Sequence, residues 1–539
     1  APLLDRMGVA QTKDKDKGQS VTLDLKEKPL DKWLAEAKGY LKQIERLDLS
    51  RQELAELPPQ IAKLVNLKFL QIYDNHLKAI PREIGRLAHL MALGLNENSI
   101  AELPAEIGQL TSLTMLDLRY NKLTKLPDEI GALVNLEKLF LRFNKLEKLP
   151  DTMSALVKLQ VLSVRNNKLS ELTEGVKSMT RLEVLDLQHN MLTVLPSLAG
   201  LTMLDSLDVQ FNQLSELPSS IVQLVALKSL HLKYNQISSL PSKFGSLTNL
   251  EELDLEGNRL ATLPDSIKNL QKLKKLYINR NAFSKLPECI QEMVTIEELF
   301  LNANNLTECS EVAHLTRLRM LNLAGNQLKR LPKGLKNLSL LRDLDVNSNN
   351  LTSLEPLVPF KGLAALQIAN FSCNDLTTIP PEIGFLPKLE KLYLSENQIT
   401  SLPAEIGSLI TLIEINLDEN RLTTLPNEFG NMASLEVLHV NQNELDDLPD
   451  EIYLLPLKMF GIDDNPLDKI PPNVTDAGSQ EVFDYLGQRL QNARADAGAA
   501  SPTKEKRKLQ RQNDELPQEA AESDGDHDEE EEEEKKKKK

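Results

Sequence analysis

Hydrophobic and polar positions follow one pattern that returns about every 23 residues along most of this chain. Its apolar positions are spaced to face a common interior, as residues 110–132 show: Leu113, Leu116, Leu118, Leu123, Leu126 and Ile130. The short alternation within this copy predicts a strand, because alternate residues of a strand face the same side. Asn121 follows where the chain must turn, and its amide can satisfy backbone groups that the turn leaves unpaired.

The same asparagine recurs eighteen times, and Gln52 stands in a first, imperfect copy, which makes nineteen repeats. The asparagines are Asn75, Asn98, Asn121, Asn144, Asn167, Asn190, Asn212, Asn235, Asn258, Asn281, Asn304, Asn326, Asn349, Asn374, Asn397, Asn420, Asn443 and Asn465. This spacing is that of leucine-rich repeats, which bury their apolar faces only by stacking on one another. We therefore predict an α/β leucine-rich repeat solenoid, a horseshoe with a concave parallel sheet, helical caps and charged tails.

The sequence divides into five predicted segments. They are a disordered N-terminal arm at 1–28, a cap helix at 29–44, the solenoid at 45–470, a C-terminal cap at 471–491 and a disordered charged tail at 492–539. In the first cap, Trp33 is expected to cover the end of the leucine core, which would otherwise face water. The polar arm and the charge blocks of the tail cannot bury a core.

One repeat is irregular. The segment from Leu351 to Asn374 is two residues longer than the others and places Ala369 where leucine belongs. A tolerated insertion and a binding feature are both compatible with this pattern.

The composition and the placement of the cysteines indicate the cellular compartment. The formal net charge is −16, of which the tail at 492–539 contributes −4. The three cysteines, Cys289, Cys309 and Cys373, lie far from both ends, where secreted repeat proteins carry disulfide-bonded caps. The beginning of the chain lacks the apolar run of a signal peptide, and no stretch approaches a membrane span. We expect a cytoplasmic protein that is monomeric on its own. The basic cluster at 504–511 leaves a nuclear localisation signal open.

Catalysis finds little support in the sequence. Neither Gly-x-Gly-x-x-Gly nor Gly-x-x-x-x-Gly-Lys-Ser/Thr occurs, so the phosphate-binding loops are missing. The seven histidines are spread over separate repeats without partners at metal-ligand spacing, and no Cys–His pair can be argued to meet. We expect a non-catalytic protein without cofactor or metal.

Information about binding should lie on the outward strand positions and on the residue before each asparagine. Between Asn121 and Asn235 these positions form an aromatic and basic strip, interrupted by Asp117, Asp186 and Asp208. We predict that it binds a partner through Arg119, Tyr120, Phe140, Arg142, Phe143, Arg165, His189, Phe211, His231, Lys233 and Tyr234. Arginine and aromatic residues are enriched at interface hot spots, and exposed rings serve no solubility role.

The same positions carry the opposite charge in later repeats. There, basic residues such as Lys275 are outnumbered by Glu252, Asp254, Glu256, Glu298, Asp343, Asp345, Glu396, Glu414, Asp418, Glu419, Asp463 and Asp464. Two electrostatically distinct surfaces indicate two partners, or one partner with a polarised face. The alternative is that exposed strand positions are polar for solubility alone. Nucleic acid is a poor candidate, because phosphate contacts need a longer positive track.

The strand-and-turn segments resemble a known family. Examples are Met115-Leu-Asp-Leu-Arg-Tyr-Asn-Lys-Leu123, Leu141-Arg-Phe-Asn144 and Leu185-Asp-Leu-Gln-His-Asn190. They are similar to those of the intracellular Ras-group leucine-rich repeat family, most closely its SHOC-type Ras–phosphatase scaffolds, over roughly residues 44–490. The resemblance implies a GTP-loaded Ras-type GTPase and a serine/threonine phosphatase catalytic subunit on the concave face, with Arg119, Arg142 and Arg165 contacting a partner.

Two hypotheses on function follow from the sequence. The first is a protein-protein interaction scaffold in intracellular signal transduction, with a Ras-type GTPase as the candidate partner on the concave face. The second is a chaperone-like or regulatory binder in which the acidic tail recognises basic client proteins. Removal of the tail separates the two, because it would abolish tail-mediated binding and leave scaffold binding intact.

Overall fold

The computed structural model describes residues 9–14, 18–23, 29–36, 40–355 and 362–496. Nineteen short strands, β3 to β21, carry the repeats: Arg46–Asp48, Phe69–Gln71, Ala92–Gly94, Met115–Asp117, Lys138–Phe140, Val161–Ser163, Val184–Asp186, Ser206–Asp208, Ser229–His231, Glu252–Asp254, Lys275–Tyr277, Glu298–Phe300, Met320–Asn322, Asp343–Asp345, Ile368–Asn370, Lys391–Tyr393, Glu414–Asn416, Val437–His439 and Met459–Gly461. Each strand pairs in parallel with the next, as Leu116 with Leu139. The predicted horseshoe of nineteen repeats with a concave parallel sheet is confirmed.

Short 3-10 helices form the convex side: Leu41–Gln43, Pro59–Lys63, Arg82–Arg86, Ala105–Gln109, Asp128–Ala132, Asp151–Ala155, Glu174–Ser178, Ser219–Gln223, Phe244–Ser246, Asp265–Asn269, Glu288–Glu292, Ser310–His314, Leu335–Asn337, Pro381–Phe385, Ala404–Ser408, Asn427–Asn431 and Asp450–Leu454. Most begin after a proline, such as Pro127 with φ −69°. Proline suits this position because the first amides of a helix have no internal partner. Where Thr173 replaces proline, its hydroxyl accepts a hydrogen bond from the amide of Gly175 at 3.2 Å instead.

One continuous leucine core runs through the repeats, and the central residue of each strand from β3 to β20, such as Leu116, is buried in it. In the last strand, β21, the central Phe460 is partly buried. In the irregular repeat, Ala369 is buried at the central position, and the larger Phe371 fills the next inward position. The insertion in that repeat falls on residues 356–361, outside the described residues.

The repeated asparagines connect neighbouring repeats. Asn121 donates from Nδ2 to the carbonyl oxygens of Leu95 at 2.9 Å and Leu118 at 3.1 Å, and its Oδ1 accepts from the amide of Ile100 at 2.9 Å. One buried side chain thus satisfies backbone groups of two repeats, as its position after the strand predicted.

The N-terminal segment differs from the predicted disordered arm. Strands β1, Val9–Asp14, and β2, Gly18–Leu23, pair antiparallel, and β2 pairs in parallel with β3. Without β2, the first repeat strand would expose an edge of unpaired amides and carbonyls, which are a template for strand addition. A polar sequence can satisfy such an edge through its backbone, which side-chain patterns do not reveal.

The N-terminal cap, predicted as a helix at 29–44, contains two helical segments among the described residues. It consists of α1, Leu30–Glu36, and the 3-10 turn Leu41–Gln43. Trp33 is 1% exposed within the leucine core, so it covers the end of the solenoid.

The C-terminal cap contains α2, Pro472–Thr475, and α3, Ser479–Asp496. Helix α3 buries Val482 and Leu486 and continues five residues beyond the predicted boundary at 491. Arg489 anchors it to the last repeats through Asp447 at 2.7 Å and Asp450 at 2.8 Å. Among the residues described here, no helix combines the length and apolar character needed to cross a membrane.

Candidate protein-binding surface

The residue before each repeated asparagine adopts a left-handed backbone. In the predicted strip, φ is 52° at Tyr120, 57° at Phe143, 53° at His189, 54° at Phe211 and 50° at Tyr234. Residues with a Cβ rarely adopt this conformation, which costs about 1–2 kcal/mol relative to ordinary helical geometry. Because the turn repeats, these side chains project in one row along the edge of the concave sheet. We call this set of positions the turn row.

Aromatic side chains of the turn row form two stacks. The rings of Tyr120 and Phe143 lie 4.4 Å apart with planes 8° from parallel. His189 and Phe211 stack at 4.2 Å, and Phe211 meets Tyr234 at 5.0 Å with a 30° tilt. Asn166 occupies the position between the two stacks, so the row of aromatic rings is interrupted there.

Arginine side chains lie over Tyr120 of the first stack and over Phe140 on β7. The Cζ of Arg119 lies 5.6 Å from the centre of the Phe140 ring, and the Cζ of Arg142 lies 5.7 Å from that of Tyr120. Both distances are within the range of cation–π attraction. The five residues Arg119, Tyr120, Phe140, Arg142 and Phe143 form one surface, which we call the basic–aromatic cluster.

Asp117 fixes the orientation of Arg119. The Arg119 guanidinium donates from Nε and Nη2 to the two carboxylate oxygens of Asp117, with distances from 2.7 to 3.0 Å. This bidentate hydrogen bond and the charge of Asp117 raise the pKa of Arg119 above its ordinary value. The side chain is therefore held in place before a partner binds, which reduces the entropic cost of association.

Arg165 lies between the two stacks. Its Nε atom is buried and has no hydrogen-bond partner among the described residues. The nearest acidic position on the next strand, Asp186, already accepts a hydrogen bond from the Ser163 hydroxyl at 2.7 Å. Arg165 therefore offers an unused donor at the centre of the predicted strip.

The second stack has a different charge environment. Lys233 Nζ lies 5.3 Å from the Tyr234 ring and forms an ion pair with Glu256 at 2.5 Å. The Tyr234 hydroxyl donates to the same carboxylate at 3.2 Å. The charge of Lys233 is thus compensated, so this part of the strip is less basic than the sequence indicated.

An acidic pair lies on the strands beside this second stack. Asp186, Asp208 and His231 are direct neighbours on β9, β10 and β11. Burial, reinforced by the charge of Asp186, raises the pKa of Asp208 to about 6. The structure therefore brings His231 next to a carboxylate rather than into the aromatic stack.

A third stack was missed in the sequence. The rings of Tyr277 and Phe300 lie 4.8 Å apart with planes 20° from parallel. They occupy the same outward strand position as Phe140, but in repeats that the sequence reading grouped by their acidic charge alone. The signal was an aromatic residue at this position in two successive repeats.

The concave surface is open. Two depressions of the surface have volumes of about 380 Å³ each, and neither includes a residue of the predicted strip. Among the described residues, no group of three or more histidine, cysteine, aspartate or glutamate side chains could hold a metal ion. A broad, exposed surface of rings and charges suits a protein partner better than a small molecule.

Comparisons with known proteins agree with this architecture. The family described as "Leucine-rich repeat region" matches residues 22–119, 81–191, 113–219 and 217–373, and "Leucine rich repeat" matches residues 387–445. No sequence among the curated proteins matches the chain.

Several solved structures are similar. A leucine-rich repeat protein of Leptospira interrogans is 32% identical, with a TM-score of 0.51, over 82% of this chain and 95% of that one. The plant peptide hormone receptor RGFR1 in complex with RGF2 is 26% identical, with a TM-score of 0.61, over 85% and 83%. YopM from Yersinia enterocolitica is 27% identical, with a TM-score of 0.59, over 80% and 91%.

Solenoids of this kind present extended concave surfaces and act as scaffolds that bind other proteins. The two matching family descriptions together span most of the repeats seen in the structure. This chain belongs to the leucine-rich repeat family.

Proposed function

We propose that this protein is a non-catalytic scaffold of intracellular signal transduction that binds a partner protein on its concave face. The basic–aromatic cluster carries the proposal. Its rings are stacked, its guanidinium groups lie over neighbouring rings, and Asp117 holds Arg119 in place. Such preorganised arginine and aromatic side chains are typical of interface hot spots.

The exposure of these rings supports the same proposal. Tyr120 is 39% exposed and Tyr234 is 37% exposed, although each ring packs against a neighbouring ring. Rings held at a solvent-accessible edge offer apolar area that a partner can cover. Arg165 adds a buried nitrogen that a partner's carbonyl or carboxylate could satisfy.

A Ras-type GTPase is the candidate partner, because the strand-and-turn segments resemble the Ras-group repeat proteins. The basic–aromatic cluster suits the acidic and apolar surface that such a partner would have to present. The resemblance also extends the proposal to a serine/threonine phosphatase catalytic subunit as a second partner. A location in the cytoplasm, with the nucleus as a further compartment, belongs to the same proposal.

Calorimetric titration of the full chain tests the proposal. A panel of Ras-type GTPases, each loaded with a GTP analogue or with GDP, is titrated into the protein and into its Arg142→Glu/Phe143→Ala variant. We expect binding selective for the GTP form, and at least a tenfold loss in the variant, since hot-spot substitutions cost about 2 kcal/mol or more.

A matched variant controls for charge and fold. Arg181→Glu/Val157→Ala makes the same kinds of change at exposed residues outside the concave strands and should leave affinity unchanged. Absence of binding in both nucleotide states would refute the Ras-type assignment. Binding that disappears on deletion of residues 497–539 but survives Arg142→Glu/Phe143→Ala would instead favour the acidic tail as the recognition element.

A further inference from the structure

A second outward-facing site lies on β12 to β16, apart from the basic–aromatic cluster. One straight row across these five strands contains Asp254, Tyr277, Phe300, Asn322 and Asp345, each paired with the next in register. Asp254 therefore lies directly beside Tyr277, whereas on the other side Asn322 separates Phe300 from Asp345. Adjacent strands are about 4.8 Å apart, so the row spans roughly 19 Å.

Two buried amide oxygens lie beside the rings. Asn279 and Asn302 stand two residues after Tyr277 and Phe300, on the same outward face, and neither Oδ1 atom has a hydrogen-bond partner among the described residues. Asn279 is 7% exposed. A buried acceptor without a donor is costly, and a ligand that brings donors would satisfy it.

At one end of the row, Asp345 and the nearby Asp343 form no ion pair with a basic side chain among the described residues. Burial and the adjacent Asp345 carboxylate raise the pKa of Asp343. Burial also raises the pKa of Asp345, although hydrogen bonds from Asn347 lower it in part. This contrasts with Asp117 in the basic–aromatic cluster, which is paired with Arg119.

The basic residues nearby do not neutralise these carboxylates. Lys275 pairs with Glu298 at 3.7 Å, and Arg280 lies 3.4 Å from Glu256, which also pairs with Lys233. Among the described residues, Asp254, Asp343 and Asp345 form no ion pair with a basic side chain. The chemistry offered to a ligand is then two stacked rings, uncompensated carboxylates and two amide acceptors. Each of these groups attracts a donor that carries positive charge.

We propose that the surface of β12 to β16 binds an arginine- or lysine-bearing segment of a partner protein. A guanidinium group can lie over the rings of Tyr277 and Phe300 while its N–H groups reach Asn279 or a flanking carboxylate. Arginine fits better than lysine, because its planar fork stacks on rings and makes several directed hydrogen bonds. The site is independent of the basic–aromatic cluster, and it attracts partners of opposite charge.

Photo-crosslinking to the full chain tests this site. The probe is the peptide Ser-Arg-Ser-Arg-Ser-Arg-Ser with a terminal benzophenone, and its control replaces arginine with citrulline, which is neutral and of similar shape. Crosslinked residues are identified by mass spectrometry, which separates attachment within residues 252–347 from attachment to the acidic tail. We expect crosslinks within residues 252–347 with arginine, and at least tenfold fewer with citrulline.

Three variants give the test its specificity. Asp343→Asn/Asp345→Asn removes the uncompensated charges, and Phe300→Leu removes a ring while keeping an apolar side chain. Each should reduce crosslinking within residues 252–347 about tenfold, in line with one desolvated cation–π or charged contact. Asp463→Asn/Asp464→Asn makes the same charge change at exposed residues of the last repeat and should have no effect.

The proposal fails if crosslinks in this range are absent, or if citrulline and arginine peptides label it equally. It also fails if the control variant reduces labelling as much as Asp343→Asn/Asp345→Asn does, because the effect would then reflect overall charge. Circular dichroism of each variant verifies that the fold is retained, and Phe300→Leu provides a second reading should the double variant fail to fold.

Discussion

Tyr120 and Phe143 stack face to face across two repeats although each has a left-handed backbone that aromatic residues rarely adopt. The strained turn brings the two rings together, because it directs both side chains to the edge of the sheet from equivalent positions of successive repeats. Glycine or asparagine at these positions would adopt the left-handed conformation at lower conformational cost. We infer that the rings are kept for contact with a partner rather than for stability.

This inference predicts the outcome of a double-mutant cycle. We expect Tyr120→Asn and Phe143→Asn each to change the free energy of unfolding by less than about 1 kcal/mol, because asparagine tolerates the turn. The coupling between them should be about 0.5–1.5 kcal/mol, the usual value for an aromatic pair. Urea unfolding followed by circular dichroism measures both quantities. A coupling of zero would mean that the stack contributes nothing in solution.

The asparagine ladder predicts a much larger effect at the neighbouring turn. We expect Asn121→Ala to lower the free energy of unfolding by about 3 kcal/mol, because it leaves buried backbone groups of two repeats unsatisfied. Asn135 is a matched control, since its exposed Nδ2 makes one bond to the carbonyl of Thr111 at 2.8 Å. Asn135→Ala should cost less than about 1 kcal/mol. Equal losses in urea unfolding would contradict the role given to the buried asparagine.

Asp208 makes part of the stability depend on pH. Because its pKa rises from the ordinary aspartate value to about 6 on folding, the folded state binds this proton more tightly than the unfolded state. That contribution is present below about pH 4 and is lost as the pH rises through 6. Asp208→Asn should therefore gain stability relative to the parent between pH 4.5 and pH 7.

Urea unfolding midpoints at these two pH values measure the gain. Asp205→Asn serves as the control, because Asp205 is three residues earlier and forms an exposed ion pair with Lys228 at 2.9 Å. Its removal should give no gain at pH 7, since exposed pairs contribute little. If Asp208→Asn were less stable than the parent at pH 7, burial would not dominate the behaviour of this carboxylate.

The repeat architecture could be predicted from the sequence because each repeat contains the same pattern of inward leucines and one buried asparagine. The sequence was not sufficient where backbone geometry decides. The left-handed turn at Tyr120 cannot be read from the types of side chain, since a tyrosine in the sequence does not indicate a positive φ. The strand Gly18–Leu23 pairs through backbone groups, so its polar side chains gave no sign of it.

Charge and neighbourhood explain the remaining differences in the candidate site. Lys233 looked basic in the sequence, but Glu256 from the next repeat neutralises it. Tyr277 and Phe300 were not singled out among the acidic residues of their repeats, and the strand register shows that their rings meet. Side chains 23 residues apart become contacts in this fold, so pairs must be sought across repeats rather than along the chain.

Gly257 defines where the aromatic turn row ends. Its φ of +65° matches the row, but a Cβ at this position would lie 2.5 Å from the Tyr234 ring, which occupies that space. Gly325 has nearly the same φ, +60°, and its nearest neighbours would be 3.5 Å from a Cβ. Alanine at either position thus incurs the same backbone cost, about 1 kcal/mol, but only Gly257→Ala also displaces a ring.

We therefore expect Gly257→Ala to be more destabilising than Gly325→Ala, by about 1–2 kcal/mol in urea unfolding, the usual cost of overpacking. The displaced ring should also break the hydrogen bond from the Tyr234 hydroxyl to Glu256, which would leave Lys233 and Arg280 as the partners of that carboxylate. Tyr234→Ala in the Gly257→Ala background should recover the difference, because it removes the clash. Equal stability of the two alanine variants would mean that the Tyr234 ring moves away from position 257 without cost. The second stack would then not be rigid.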